Sequence, residues 1–152
     1  NVLNLCTKCG VKRFVFSSSS SVYGDSKHLP ILEESPLNPM SPYALHKFIG
    51  EQYCILYSKL YDLETVSLRY FNAYGERQPT KGAYCLVMGI FARQRLEDKP
   101  MTIRGDGEQR RDFTYVGDVV DANIKCATMK MDWKGDVINN MQASQILLRD
   151  HF

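Results

Sequence analysis

Short apolar runs and helical patterns alternate along this chain. Residues 1–9 place apolar side chains on one side of a helix, and Gly10 stands where a helix commonly ends. Residues 12–17 then form a short apolar run rich in β-forming residues, which is typical of a buried strand. Helix, glycine and buried strand in this order are the second half of a β-α-β unit. The pattern therefore predicts an α/β fold built on a parallel sheet.

The alternation continues downstream. Ser41-Pro42 predicts a helix start, because serine is a preferred N-cap and proline is favoured at the first helical position. This helix is expected to run to Leu60, and its candidates for burial are Ala44, Phe48, Tyr53, Ile55, Leu56 and Leu60. Further predicted elements are strands at 65–71 and 101–103 and helices at 84–96 and 116–129.

Composition narrows the classes of function. The chain has 152 residues, of which 44% are hydrophobic and 24% charged, as in one ordinary globular domain. A net charge of +2 without a long basic run disfavours a nucleic-acid partner. No apolar stretch approaches the roughly 18 residues that span a bilayer. No signal-peptide pattern is visible either, so no membrane partner is expected.

The cysteines favour a reducing compartment. Five cysteines are too few and too scattered for a disulfide scaffold, so a cytoplasmic location is expected. Cys6 and Cys9 have the C-x-x-C spacing of half a zinc site or of a redox pair. There is no second pair, and the three histidines show no ligand spacing. We therefore favour two small buried side chains on one helix face, and no metal site.

A serine run and a tyrosine–lysine pair carry the clearest chemistry. Residues 17–21 are five serines at the end of the first predicted strand, and ligands of open α/β sheets bind beyond the carboxyl ends of strands. Tyr43 and Lys47 are four residues apart and so share a helix face. A free phenol has a pKa of about 10, but a nearby ammonium stabilises the phenolate and lets it act as a base. The pair alone also suits a solvated helix face.

Four motifs in order resemble one family. They are residues 14–16 leading through the serines to Val22-Tyr23-Gly24, Ser41-Pro42-Tyr43 with Lys47 and Glu51, residues 68–75 (LRYFNAYG) and residues 105–113 (GDGEQRRDF). Their order resembles the extended short-chain dehydrogenase/reductase family, in particular its NAD-dependent members that act on nucleotide sugars. The resemblance extends nearly to Asn139.

The resemblance implies a domain organisation. The fold would be the C-terminal part of a Rossmann-like doubly wound parallel sheet, plus part of a small substrate-binding region. Residues 1–82 would form the second half of the NAD-binding domain with the catalytic residues. Residues 83–152 would form a truncated nucleotide-sugar-binding region.

The resemblance also implies site residues. Ser19 matches the family's catalytic serine, Tyr43 its base, and Lys47 the lysine that also binds the nicotinamide ribose. Contacts to NAD are expected from Ser17, Ser19, Tyr43, Lys47 and Phe71. Contacts to the nucleotide sugar are expected from Ser19, Ser20, Ser21, Asn72, Leu86, Val87, Met88, Thr102, Ile103, Arg104 and Arg111.

Purely structural interpretations remain for several of these residues. Phe71 also suits the core of a strand, and Arg111 suits a surface ion pair with Asp112. Residues 86–88 equally suit a helix core. The five serines also suit a flexible loop, although the apolar strand before them favours a fixed turn.

The resemblance favours one reaction. A serine run disfavours the 4,6-dehydratases, which resemble this chain but place acidic residues near that turn. Gln78-Pro79 and Gly82-Ala83-Tyr84 resemble the UDP-N-acetylglucosamine and UDP-glucose 4-epimerases. The first hypothesis is therefore NAD-dependent epimerisation of a UDP-hexose at C4 through a 4-keto intermediate, with a homodimer expected for the full-length enzyme. Other UDP-, GDP- or ADP-sugar epimerases and dehydratases come next.

One part of a dinucleotide site is missing from these residues. Gly105-Asp106-Gly107 lacks the third glycine of the phosphate-binding motif and does not open a helix after a first strand. The family places that motif well before the first residue here, so the isolated chain is expected to be inactive. Two rival hypotheses remain: a non-catalytic nucleotide-sugar-binding fragment, and a subunit completed by a second chain that carries the glycine motif.

Overall fold

A three-stranded parallel sheet forms the centre of the computed structural model, which describes residues 1–27, 29–82, 85–103 and 111–140. In chain order the elements are α1 (Val2–Lys8), β1 (Arg13–Ser19), a 3₁₀ helix (Ser20–Tyr23), α2 (Pro42–Tyr61), β2 (Glu64–Tyr70), β3 (Asn72–Tyr74), α3 (Val87–Leu96), β4 (Phe113–Tyr115), α4 (Val116–Thr128) and β5 (Lys134–Asn139). The main sheet has the order β1-β2-β5, and β3 pairs with β4 in a second sheet. Every pairing is parallel, so the predicted α/β architecture is confirmed.

β2 is buried on both faces, and its residues alternate between two environments. Val66 and Leu68 join the apolar core on the side of α4, together with Ala122, Cys126 and Trp133. The residues that alternate with them are polar and face α2. Thr65 Oγ1 donates to the Cys54 carbonyl at 2.9 Å, and Arg69 binds Glu51. A period of two thus gives β2 one apolar and one polar buried face.

A glycine lets α2 approach β1 closely. A Cβ added at Gly50 would overlap the ring of Phe16, so a larger residue would force the helix away from the strand. The helix begins as predicted, with Pro42 in its first turn and Ser41 Oγ accepting from the Ala44 amide at 3.1 Å. α2 is therefore fixed both at its start and along its contact with β1.

Arg13 anchors the end of α4 to the amino end of β1. Its Nη1 donates to the carbonyls of Cys126 and Ala127 at 3.1 Å and of Met129 at 2.7 Å, while its Nε donates to Glu64 at 2.6 Å. A cation at these carbonyls satisfies groups that the helix leaves without partners. The interaction holds α4 against the sheet at the end opposite to the serine run.

Several local expectations are corrected. Residues 101–103 are not a strand, and the third helix begins at Val87, with Tyr84 outside the described residues. Tyr53, Leu56 and Leu60 are exposed, because α2 turns a different face to the sheet and buries Ala44, Glu51 and Cys54. The expected burial of Cys6 and Cys9 is also wrong, since Cys9 is exposed and Cys6 only half-buried.

The described residues contain neither a membrane-spanning helix nor a cluster of metal ligands. None of their helices combines the length and the apolar character needed to cross a bilayer. Within the same residues, no group of three or more His, Cys, Asp or Glu side chains could hold a metal ion.

Candidate active site

The serine run forms the end of β1 and the turn that follows it. Ser17 is exposed, Ser18 is buried, and Ser19 is the last residue of the strand. Ser19 then caps the 3₁₀ helix, because its Oγ accepts from the Ser21 amide at 3.2 Å. Ser20 and Ser21 lie half-buried in that helix. The flexible-loop interpretation is therefore wrong, and the run presents its serines in a fixed turn.

Lys47 joins α2 to the serine run and lies beside Tyr43. Its Nζ donates to the Ser17 carbonyl at 2.8 Å and lies 5.6 Å from the centroid of the Tyr43 ring. The same ammonium lies 5.5 Å from the centroid of the Phe16 ring on β1. Tyr43 itself is 57% exposed. The spacing on α2 thus produces the pairing that the sequence predicted.

Two other phenols in this region have surroundings that disfavour ionisation. Burial raises the pKa of Tyr23, although Arg69 opposes that effect. The Glu76 carboxylate accepts from the Tyr115 hydroxyl at 3.0 and 3.1 Å and raises the pKa of that phenol. Neither is suited to act as a base at neutral pH.

Ser17 contacts a second polar side chain besides Lys47. Its Oγ lies 3.2 Å from the Tyr70 hydroxyl, which donates to Asn123 Oδ1 of α4 at 2.9 Å. Its carbonyl is the acceptor of Lys47. Ser17 thus helps to order the end of β1 and holds the lysine in place through its backbone.

The second sheet brings together two residues expected to hold the nucleotide diphosphate. β3 and β4 pair Asn72 with Phe113, and Asn72 Nδ2 donates to the Asp112 carbonyl at 2.9 Å. Arg111, immediately before Asp112, is exposed. Phe71 lies half-buried between β2 and β3. The chain therefore places Asn72 beside the segment of Arg111, 39 residues later, and directly after the carboxyl end of β2.

The residues expected around the uridine lie at α3 and just after it. Leu86, Val87 and Met88 are exposed, so the helix-core interpretation is wrong for these three. Thr102 is bound to α3, since Gln94 Nε2 donates to its Oγ1 at 2.7 Å, whereas Ile103 is exposed. Arg104 lies outside the described residues.

Sequence reasoning missed a buried polar network beside the serine run. It joins Glu51 of α2, Arg69 of β2, Ser18 of β1 and Tyr23 of the 3₁₀ helix. The signal was present as a charged residue in the strand pattern Thr65-Val66-Ser67-Leu68-Arg69, where polar and apolar residues alternate. Such alternation is also typical of a strand with one face exposed to water, whereas here α2 covers the polar face.

Comparison with known proteins gives a consistent result. Residues 1–139 match the model of the NAD dependent epimerase/dehydratase family. A protein of Methanocaldococcus jannaschii, provisionally named a UDP-glucose 4-epimerase, is 45% identical over 140 residues, which are 91% of this chain and 44% of that protein. A UDP-glucose 4-epimerase of Mycolicibacterium smegmatis is 42% identical over 117 residues, 76% of this chain and 37% of that protein. The chain thus spans less than half the length of these relatives.

Solved structures agree with the sequence comparison. A UDP-N-acetylglucosamine 4-epimerase from Methanobrevibacter ruminantium, in complex with UDP-N-acetylmuramic acid, superposes with a TM-score of 0.85 at 38% identity, covering 91% of this chain and 44% of that one. A UDP-glucuronic acid 4-epimerase from Bacillus cereus, in complex with UDP-glucuronic acid and NAD, gives 0.77 at 38% identity, covering 91% and 42%. These neighbours have the Rossmann fold of short-chain dehydrogenases.

Proposed function

The chain belongs to the NAD-dependent epimerase/dehydratase family, and we propose that it carries the catalytic part of a UDP-sugar 4-epimerase. One observation carries the proposal: the Lys47 ammonium binds the Ser17 carbonyl at 2.8 Å and lies 5.6 Å from the centroid of the Tyr43 ring, near the carboxyl end of β1. This contact supports the proposal because it holds a tyrosine and a cation near the serine run, at the strand ends where ligands of parallel sheets bind.

Each catalytic residue has a chemical task in this proposal. The Tyr43 phenolate takes the proton of the sugar 4-hydroxyl, and Ser19 holds the same oxygen by a hydrogen bond. The Lys47 ammonium lies beside the Tyr43 ring, and a cation there stabilises the negative charge of a phenolate. The intermediate is a 4-keto sugar, which is reduced on its other face after the sugar turns. NAD, held at its nicotinamide end by Ser17, Lys47 and Phe71, would supply a reversible hydride acceptor for C4, so that the reaction involves no net oxidation.

The donors at the site fit the nicotinamide half of NAD. An ammonium has three donors, and Lys47 gives one to the Ser17 carbonyl. Donors thus remain for the ribose hydroxyls, with Ser17, Tyr43 and Phe71 around the same strand ends. The 152 residues contain no glycine-rich turn for the pyrophosphate. Residues 1–82 would accordingly hold the nicotinamide end only.

The nucleotide sugar would lie across the second sheet and α3. Asn72 and Arg111 would bind the diphosphate, as an amide and a planar cation do well. Leu86, Val87, Met88, Thr102, Ile103 and Arg104 would line the uridine, and Ser20 and Ser21 the sugar. Support comes from the β3–β4 pairing, which holds the segments of Asn72 and Arg111 together, and from the exposure of residues 86–88.

A homodimer and a cytoplasmic location remain predictions. The homodimer is supported by an exposed apolar face, and the cytoplasmic location is supported by the free thiols. One face of α2 exposes a row of apolar side chains, Leu45, Ile49, Tyr53, Leu56 and Leu60. All five cysteines are free, which suits a reducing compartment.

A chimeric enzyme tests the function. Residues 1–139 of this chain would replace the segment that they match in the Methanobrevibacter ruminantium epimerase, which supplies the rest of the fold. We expect it to convert UDP-N-acetylglucosamine or UDP-glucose to the 4-epimer, with UDP-glucuronate as the weaker substrate, when products are separated chromatographically. A chimera that folds and binds NAD but forms no 4-epimer from any UDP-sugar would contradict the proposal.

A further inference from the structure

We propose that Glu51 and Arg69 are positioning residues, whose buried ion pair fixes α2 against the serine run and thereby sets the placement of Tyr43 and Lys47. The inference rests on the function proposed above. Neither residue touches the expected ligands in this proposal. Both act through the helix and the turn that carry the catalytic groups.

The pair has the geometry of a rigid clamp. Arg69 Nε donates to Glu51 Oε1 at 2.9 Å, and its Nη2 donates to Glu51 Oε2 at 2.7 Å. Glu51 is 0% exposed and Arg69 is 3% exposed. Two parallel hydrogen bonds between planar groups fix orientation as well as distance. Rotation of α2 about its axis would break both.

Glu51 and Lys47 hold adjacent residues of β1. Lys47 binds the carbonyl of Ser17, and one helical turn later Glu51 accepts from the hydroxyl of Ser18. Tyr43 lies one turn before Lys47, so the three side chains share one face of α2. Two successive turns of the helix are therefore matched to two successive residues of the strand. Tyr43 lies on the helix turn directly before these two contacts, so its position depends on them.

Arg69 holds the other side of the serine turn. Its Nη1 donates to the Tyr23 hydroxyl at 2.6 Å and to the Glu33 carbonyl at 3.1 Å. The Tyr23 hydroxyl in turn donates to Asn139 Oδ1 of β5 at 2.7 Å. The network thus contacts the residue before Ser19 and the end of the 3₁₀ helix after it. Both ends of the turn are fixed to one ion pair.

Stability alone does not account for such a pair. A buried ion pair is often no more stabilising than apolar side chains of similar volume, because removing two charges from water is costly. Burial opposes the charge of Arg69, but its hydrogen bonds to Glu51 and Tyr23 outweigh that effect and raise its pKa. Arg69 therefore keeps its charge, and the directional bonds of the pair are what an apolar pair would lack.

The test uses two matched substitutions in the chimeric enzyme. Glu51→Gln breaks the clamp, whereas Glu64→Gln breaks the Arg13 pair at the opposite end of β1 and β2. We expect Glu51→Gln to lower kcat about 10–100-fold with KM changed less than about twofold, because small misplacements of catalytic groups have effects of that size. Glu64→Gln should leave both readouts unchanged. Equal effects of the two substitutions would overturn the proposal.

Milder variants and a second measurement test the proposal even if Glu51→Gln does not fold. Ser18→Ala removes only the hydrogen bond from Ser18 to Glu51 and should lower kcat less than Glu51→Gln. The effects of Arg69→Gln and Glu51→Gln on kcat should be strongly non-additive. Hydrogen exchange on the 152-residue chain requires no activity. There Ser18→Ala and Glu51→Gln should speed exchange in residues 42–50 more than Glu64→Gln does at equal loss of stability. Uniform exchange along α2 would contradict the proposal, and an inactive wild-type chimera would instead contradict the function.

Discussion

Replacing Tyr43 with phenylalanine is expected to lower kcat of the chimeric enzyme by about 10²–10⁴-fold, the range that a positioned acid–base group contributes. The substitution removes only the hydroxyl that we assign as the base. Tyr43 is 57% exposed, so folding should depend little on that hydroxyl. The thermal midpoint should therefore stay within about 2 °C, as for other exposed substitutions. Initial rates of 4-epimer formation and a thermal melt measure the two expectations.

Tyr53→Phe is the matched control for this substitution. Tyr53 lies on the same helix and is 54% exposed, but it belongs to the apolar row on the face away from the serine run. The chemical change is the same as in Tyr43→Phe. Because Tyr53 is a surface residue outside the site, kcat should remain within about twofold. A chimera that tolerates Tyr43→Phe as well as Tyr53→Phe would show that another group takes the proton.

The isolated chain of 152 residues is expected to show no measurable turnover with NAD and a UDP-sugar. It offers Ser17, Ser19, Tyr43, Lys47 and Phe71 to the nicotinamide end but no glycine-rich turn to the pyrophosphate. Hydrogen bonds to charged groups contribute about 1.5–3 kcal/mol each. Losing two or three of them weakens binding by roughly 10²–10⁶-fold, since each 1.4 kcal/mol is a factor of ten.

The same experiment separates the rival hypotheses. The chimera should turn over under conditions in which the isolated chain does not. Calorimetry should likewise show that the chimera binds NAD more tightly than the isolated chain. Supplying the glycine-rich segment of the Methanobrevibacter ruminantium epimerase as a separate polypeptide tests the two-chain hypothesis. Rapid epimerisation by the isolated chain would mean that the phosphate site has been misjudged.

Much of the fold followed from local sequence signals. Ser41 and Pro42 fixed the start of α2, because capping depends on two neighbouring residues and their own backbone. Gly10 with φ of +68° follows α1, as a helix end in the left-handed region requires. The four-residue spacing of Tyr43 and Lys47 likewise fixed their common face. Such features need no knowledge of the rest of the chain.

Other features depended on contacts distant in sequence and were missed. Apolar spacing on α2 suggested that Tyr53, Leu56 and Leu60 were buried, yet the helix turns Glu51 and Cys54 to the sheet. Glutamate is rarely buried in proteins, and here the ion pair with Arg69 of β2 offsets the cost of burying its charge. The β3–β4 pair was also missed, since its strands have three residues each and are joined across a long stretch of chain.

Isotope retention at C4 tests the central claim most directly. The chimeric enzyme would convert unlabelled UDP-N-acetylglucosamine or UDP-glucose in D₂O, and the 4-epimer would be analysed by proton NMR. We expect the product to keep protium at C4, because the hydrogen removed from that carbon returns to it without exchange with water, while Tyr43 handles only the hydroxyl proton. Deuterium at C4 would show that the carbon is deprotonated instead and would contradict the proposed chemistry.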